Sequence, residues 1–242
     1  MKTKIAISSW GNIGKAIAAI YTEEAKSADS DIELVGIIRR NANREGCPEG
    51  VHVVSDVKDL SIKPDVILCA APSHCVMDDV QKYLALGFST VDCFDNHKEI
   101  LTQRKQLDTL AKTHHAVSVL GAGWDPGFDS IFRALSVLIV PGNEAVTTFG
   151  PGRSMGHTTT VKAIHPDITD AVSLTLPGEK PGLQRREVYI ALNEKLADEN
   201  VQNHIRRDIL AHPYFKNDDS HVFFVESIAD HDTNRHGGII IR

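Results

Sequence analysis

Short apolar runs alternate with amphipathic stretches over the first half of the chain, and this rhythm restricts the folds open to it. The runs cover residues 4–8, 33–38, 51–54, 65–70, 89–93 and 115–120, and helical patterns at 15–26, 76–86 and 98–113 lie between them. Strands separated by helices at this spacing predict right-handed βαβ units and a parallel sheet. After Trp124 the rhythm changes. Helical patterns at 129–139, 157–164 and 199–210 are interspersed with strand patterns at 145–149, 171–176, 187–192 and 222–227. The expected fold class is α/β: an N-terminal parallel sheet over residues 1–123, then a smaller α+β domain over 124–242. The second sheet is expected to be mainly antiparallel or mixed and to cover the cleft of the first. No internal repeat or low-complexity segment is visible.

Composition narrows the function classes. Of 242 residues, 42% are hydrophobic and 24% charged, as in ordinary globular proteins. A formal charge of −6 argues against nucleic acid as a partner. No apolar run reaches transmembrane length, which argues against a membrane partner. Met1-Lys2 leads straight into a strand with no secretory pattern, so a cytoplasmic location is expected. Cys47, Cys69, Cys75 and Cys93 lack metal-type pairing and read as reduced thiols. Cys69 and Cys93 fall in strand runs and read as small buried hydrophobes. The histidines show no ligand spacing and no G-x-S-x-G elbow occurs, so neither a metal nor a serine nucleophile is expected.

Two stretches carry chemistry. The first, Ser9-Trp10-Gly11-Asn12-Ile13-Gly14, joins a strand to a helix. A dinucleotide fingerprint uses glycines for a tight turn, close pyrophosphate approach and helix–strand packing, and the helix N-terminus offers N–H groups to phosphate. Here Ser9 takes the first glycine's place, and its Cβ restricts φ. The context suggests a Rossmann-type domain; the bland reading is a βα turn that binds nothing. At the end of strand two an NAD site usually carries an acid, but this chain has Arg39 and Arg40, which suit a 2′-phosphate. NADP is favoured over NAD, with a solvated arginine pair as the bland reading.

The second stretch, Gly121-Ala-Gly-Trp-Asp-Pro-Gly-Phe-Asp-Ser130, stops a strand and opens a helix. Trp124 and Asp125 are expected at the carboxyl edge of the sheet, where open α/β folds bind ligands. An aromatic wall beside a carboxylate suits an amine-bearing small molecule. Asp125 before Pro126 also fits a helix N-cap, and the residues alone leave the two readings level. Asp92, inside a strand run, is expected to be structural. Of Arg185 and Arg186, one is expected to be a surface charge.

With G-N-I-G after strand one, V-D-C-F-D-N-H (91–97), A-G-W-D-P-G (122–127) and F-G-P-G-R-S-M-G-H (149–157) in order, the chain resembles the meso-diaminopimelate dehydrogenase family over nearly its whole length. Met155 and the short second domain resemble its broader-specificity subgroup. The resemblance implies NADP-dependent, reversible oxidative deamination at the D-centre of meso-2,6-diaminopimelate, giving L-2-amino-6-oxopimelate and ammonia, in lysine and cell-wall precursor metabolism. It implies that Asp95 and Asp125 hold the reacting amine, that Trp124 and Phe149 shape the pocket, and that Met155 and Gly156 receive the nearby carboxylate. Thr175, Arg186 and His236 match positions for the distal L-centre. Trp10, Gly11, Asn12, Ile13, Arg39, Arg40, Cys69, Ala70, Ala71, Pro72, Ser73 and Asn96 match cofactor positions. A homodimer is implied as well.

Against the family pattern, the chain stops at Arg242 inside a strand-like run, several dozen residues early. Lack of that segment, with its further strands, terminal helix and a substrate-contacting Asn, is expected to expose a sheet edge and weaken the dimer. Two other functions remain open on the sequence: a catalytically impaired NADP(H)-binding or interaction module, and a related D-amino-acid dehydrogenase or dihydrodipicolinate-reductase-like enzyme.

Overall fold

The computed structural model describes residues 2–24, 30–142, 146–180, 183–193, 198–216, 218–231 and 238–241. The chain divides into two units, Met1–Ile131 and Phe132–Arg242.

In the first unit the elements run β1 (Thr3–Ser8), α1 (Asn12–Glu24), β2 (Ile32–Ile38), β3 (His52–Val54), β4 (Val66–Cys69), α2 (Ser73–Ala85), β5 (Ser89–Asp92), α3 (Ile100–Thr113) and β6 (Ser118–Val119). The strands form one parallel sheet in the order β3-β2-β1-β4-β5-β6. This is the doubly wound arrangement of dinucleotide-binding folds, with its switch point between β1 and β4. Ala6, Ile67, Val76, Val80, Leu84 and Leu107 are buried in its core. The β6 strand is shorter than the apolar run at 115–120. His115 takes a positive φ of 52° and the Ala116 N–H bonds Ala111 O, so the start of that run closes α3 instead.

Register places the strand ends together. Ser8 pairs with Ile38 on one side and Cys69 on the other, and Cys69 pairs with Asp92. All four residues lie in one line across the sheet. The turns that follow them, beginning at Ser9, Arg39, Ala70 and Cys93, therefore leave from the same carboxyl edge.

A π-type turn over Trp124–Phe128 leads into α4 (Asp129–Ile139), within which the two units divide. Ile131, Phe132, Leu135, Leu138 and Ile139 recur at helical spacing on one face, and their exposure runs from 40% at Phe132 to 74% at Leu138.

The second unit continues with β7 (Val146–Phe149), β8 (Gly152–Arg153), α5 (Met155–Ile164), β9 (Ile168–Pro177), β10 (Gln184–Leu192), α6 (Glu199–Ala211), β11 (Asp219–Phe224) and β12 (Gly238–Ile241). Its main sheet, β11-β10-β9-β8, is mixed, because β11 runs parallel to β10 while β9 and β8 run antiparallel to their neighbours. β12 pairs with β7. Val161, Val188, Ile190, Ile205, Ile209 and Phe215 form a separate core. The two-residue β8 has no sequence periodicity to read, yet it sets Gly152 opposite Thr175 and so brings the start of α5 beside β9.

Candidate active site

At the first carboxyl edge the β1–α1 turn is formed. Ser9 adopts φ 79°, the left-handed conformation the fingerprint glycine would supply, so the serine accepts strain instead of shifting the turn. A Cβ at Gly14 would lie 2.3 Å from the Ser9 carbonyl oxygen, which explains that glycine as the close-packing one. Gly11 has open space where a Cβ would point. Asn12 and Ile13 begin α1, whose first N–H groups face this edge.

Ser8, Ser9, Trp10, Ile38, Arg39, Arg40, Ser55, Asp79, Lys82 and Tyr83 line a cavity of about 370 Å³. The buried Trp10 Nε1 has no hydrogen-bond partner there. The two arginines differ. Arg39 Nη1 donates to Asn43 O at 2.7 Å and so ties down the loop after β2. Arg40 lies close enough to influence Asp79 and Cys75 electrostatically. Below them, the Ser8 hydroxyl meets Tyr83 Oη at 3.0 Å and Asp79 Oδ2 at 3.4 Å. Burial pushes the Tyr83 phenol up to about 12, and burial also raises Asp79, which Ser8 and Lys82 partly offset. A cationic pocket beside an open glycine and a helix N-terminus fits a dinucleotide with a 2′-phosphate.

Around Asp92 the sheet edge carries its carboxylates. Asp92 is fully buried, and its Oδ1 accepts from Phe94 N and Gly121 N, both at 3.0 Å. Its carbonyl accepts from Ala122 N at 2.7 Å. The loop bearing Asp95 and the loop bearing Trp124 and Asp125 thus hang on one residue. Burial raises the Asp92 pKa against the pull of those two N–H groups, and Oδ2 has no partner. The structural role expected of Asp92 is what the geometry gives.

Ser73, the first residue of α2, donates to Asp95 Oδ1 at 2.5 Å and accepts from Asp95 N at 3.2 Å. Asn96 Oδ1 accepts from Lys98 N at 3.2 Å, so this side chain stabilises the turn into α3. The turn's N-cap is Gly123, Asp125 keeps an extended conformation, and its Oδ1 lies 3.0 Å from His97 Nε2. Trp124 is 45% exposed and tilts against Phe128 with ring centroids 5.9 Å apart. Sequence reasoning missed His97 as a site residue, although it ends the V-D-C-F-D-N-H stretch; its partner is 28 residues away and only the fold joins them.

The second unit groups a different set. Gly152, Thr175 and Arg186 are register partners across β8, β9 and β10. Met155 and Gly156 open α5, and Ser154 is anchored by its N–H to Ser173 O at 2.8 Å and its hydroxyl to His157 Nδ1 at 2.9 Å. Phe149 ends β7. Arg185 is the exposed member of the arginine pair and bonds Glu187, while Arg186 is 3% exposed. Its guanidinium meets Thr175 and Asp218, and Asp218 had no sequence signal. His236 lies outside the described residues. Among the described residues, no group of His, Cys, Asp and Glu could hold a metal, and no helix is long and apolar enough to cross a membrane.

Residues 123–242 match the model of the diaminopimelic acid dehydrogenase C-terminal domain. A meso-diaminopimelate D-dehydrogenase from Bacteroides fragilis is 42% identical over 230 residues, covering 94% of this chain and 73% of the relative. One from Acetivibrio thermocellus is 32% identical over 260 residues, covering 100% and 76%. Among solved structures, C. glutamicum DAP dehydrogenase in complex with DAP aligns with a TM-score of 0.79 at 27% identity, over 99% of this chain and 77% of that one. An engineered D-amino acid dehydrogenase bound to NADP+ shares the fold, with a TM-score of 0.76 at 24% identity over 100% and 83%. The chain belongs to the meso-diaminopimelate dehydrogenase family.

Proposed function

We propose that this chain catalyses NADP-dependent oxidative deamination of meso-2,6-diaminopimelate at its D-centre. The observation that carries the reading is the suspension of two carboxylate loops, those of Asp95 and Asp125, from the buried Asp92 at the edge that also bears the arginine-lined cavity. Arg39 and Arg40 would hold the 2′-phosphate, the Gly11–Ile13 amides the pyrophosphate, and residues 69–73 with Asn96 the nicotinamide half. Bound there, NADP+ supplies a two-electron acceptor for the hydrogen on the substrate's α-carbon.

The chain's residues prepare the amine. An ammonium cannot expel hydride, so its proton must leave first. Asp125 Oδ1 is held by His97, leaving Oδ2 to accept that proton, and Asp95, fixed by Ser73, orients the nitrogen. Loss of hydride gives an imine. Water adds to it and ammonia leaves, giving L-2-amino-6-oxopimelate. Trp124 and Phe149 shape the apolar wall, the Met155–Gly156 amides receive the adjacent carboxylate, and Thr175, Arg186 and His236 take the distal centre. Run in reverse, the reaction supplies lysine and cell-wall precursors. A cytoplasmic homodimer belongs to the same reading, and sedimentation tests the dimer. The decisive assay is NADPH formation with meso-diaminopimelate at alkaline pH. Steady production dependent on the amine is expected, and its absence overturns the proposal.

A further inference from the structure

Arg186 is buried and already satisfied. Its Nε donates to Asp218 Oδ2 at 2.7 Å, and Nη2 lies 2.6 Å from the same oxygen. Nη1 donates to Thr175 Oγ1 at 2.8 Å and Nη2 reaches Gln184 Oε1 at 3.4 Å. A guanidinium has five N–H donors, so these contacts leave a single N–H on Nη1 for anything else. Phe215 lies beneath the group, 6.0 Å from ring centroid to Cζ. Burial pulls the Arg186 pKa down and Asp218 pushes it back up, and the guanidinium stays charged.

We infer that Asp218 is a specificity-determining residue: by neutralising Arg186 it removes the charge that would select a substrate's distal carboxylate, and so admits D-amino acids lacking that group. The inference rests on the amine-oxidation reading above. An incoming carboxylate meets a pair of net charge zero. To bond the guanidinium bidentately it must displace Asp218, and until then it faces a like charge beside it. A substrate without the distal carboxylate faces no such exchange.

D-Lysine is meso-diaminopimelate without the distal carboxylate, and the pair isolates this contact. A site built to bond a substrate group rejects the analogue lacking it by about ten-thousandfold. Here the wild-type ratio of kcat/KM, meso-diaminopimelate over D-lysine, is expected below about a hundredfold. In Asp218→Asn, which keeps an acceptor for Arg186 but not the charge, that ratio should rise at least about tenfold, mainly through KM for meso-diaminopimelate. Asp218→Glu, which keeps the charge, should hold the wild-type ratio. A ratio near ten-thousandfold in the wild type, or one unchanged or lowered in Asp218→Asn, overturns the inference. If Asp218→Asn does not fold, the wild-type and Asp218→Glu ratios decide. Calorimetric binding of both ligands to the NADP-loaded protein separates the two ideas. Tighter relative binding of meso-diaminopimelate to Asp218→Asn without any turnover would sustain the inference and sink the proposed reaction. Unchanged relative binding would sink the inference alone.

Discussion

Replacing Asp92 by Ala would leave the Phe94 and Gly121 N–H groups buried without an acceptor. At about 1–3 kcal/mol for each orphaned donor, urea unfolding should show a loss of about 2–6 kcal/mol. Asp92→Asn keeps Oδ1 as acceptor and should lose less than half of that. The pH dependence has a definite sign. Because burial raises the Asp92 pKa above its unfolded value, the folded state binds the proton more tightly. Its contribution is full at pH below about 3.9, the unfolded value, and is lost as pH rises through the folded one. Asp92→Asn should therefore gain on wild type as pH rises through that window, and parallel stability curves would refute this. At the reacting centre, Asp125→Asn should lower kcat at least about a hundredfold while sparing NADP affinity; equal turnover would remove Asp125 from its role. The placement of Asp95 and Asp125 in loops at the carboxyl edge of the first sheet was legible because their neighbours in sequence mark it. The partners His97 and Asp218 were not, since Asp125 and Arg186 reach them only through the folded sheets.

The β1–α1 turn shows what an element demands of its residues. Gly14→Ala would set a Cβ against the Ser9 carbonyl, 2.3 Å away, and backbone must move to relieve it. A cost of about 1–3 kcal/mol and a clear drop in NADP affinity are expected, read by urea unfolding and fluorescence titration. Ser9→Gly removes the left-handed strain of about 1–2 kcal/mol but adds freedom to the unfolded chain. A net gain of about 0.5–1 kcal/mol should remain, and destabilisation would contradict the φ of Ser9. Elements of this kind were legible because strand, turn and helix are contiguous in sequence. The limits of β6 and the existence of β8 were not. Closure of α3 consumes the first half of one, and the other is defined only by the strand it pairs with.

For the whole chain, separate cores in the two units predict thermal unfolding that departs from a single two-state transition. NADP+ at a hundredfold its Kd should stabilise the transition of the first unit by about 2.7 kcal/mol. Arg40→Ala should abolish most of that gain at the same concentration, and calorimetry that shifts both variants equally would take Arg40 out of the cavity's cofactor role. The parallel sense of the first sheet was legible because alternating elements fix it, whereas its strand order has no local mark. The second sheet was legible as mainly antiparallel or mixed, and it is mixed because β11 runs parallel to β10 while β9 runs antiparallel to it. The apolar stripe on α4, with Leu138 and Ile139 more than 70% exposed, has a colloidal consequence. Sulfate is excluded from protein surfaces and penalises wetted apolar area. The chain should cloud at lower ammonium sulfate than a Leu138→Lys variant, so its precipitation curve is set by one helix face and can be moved by recharging it.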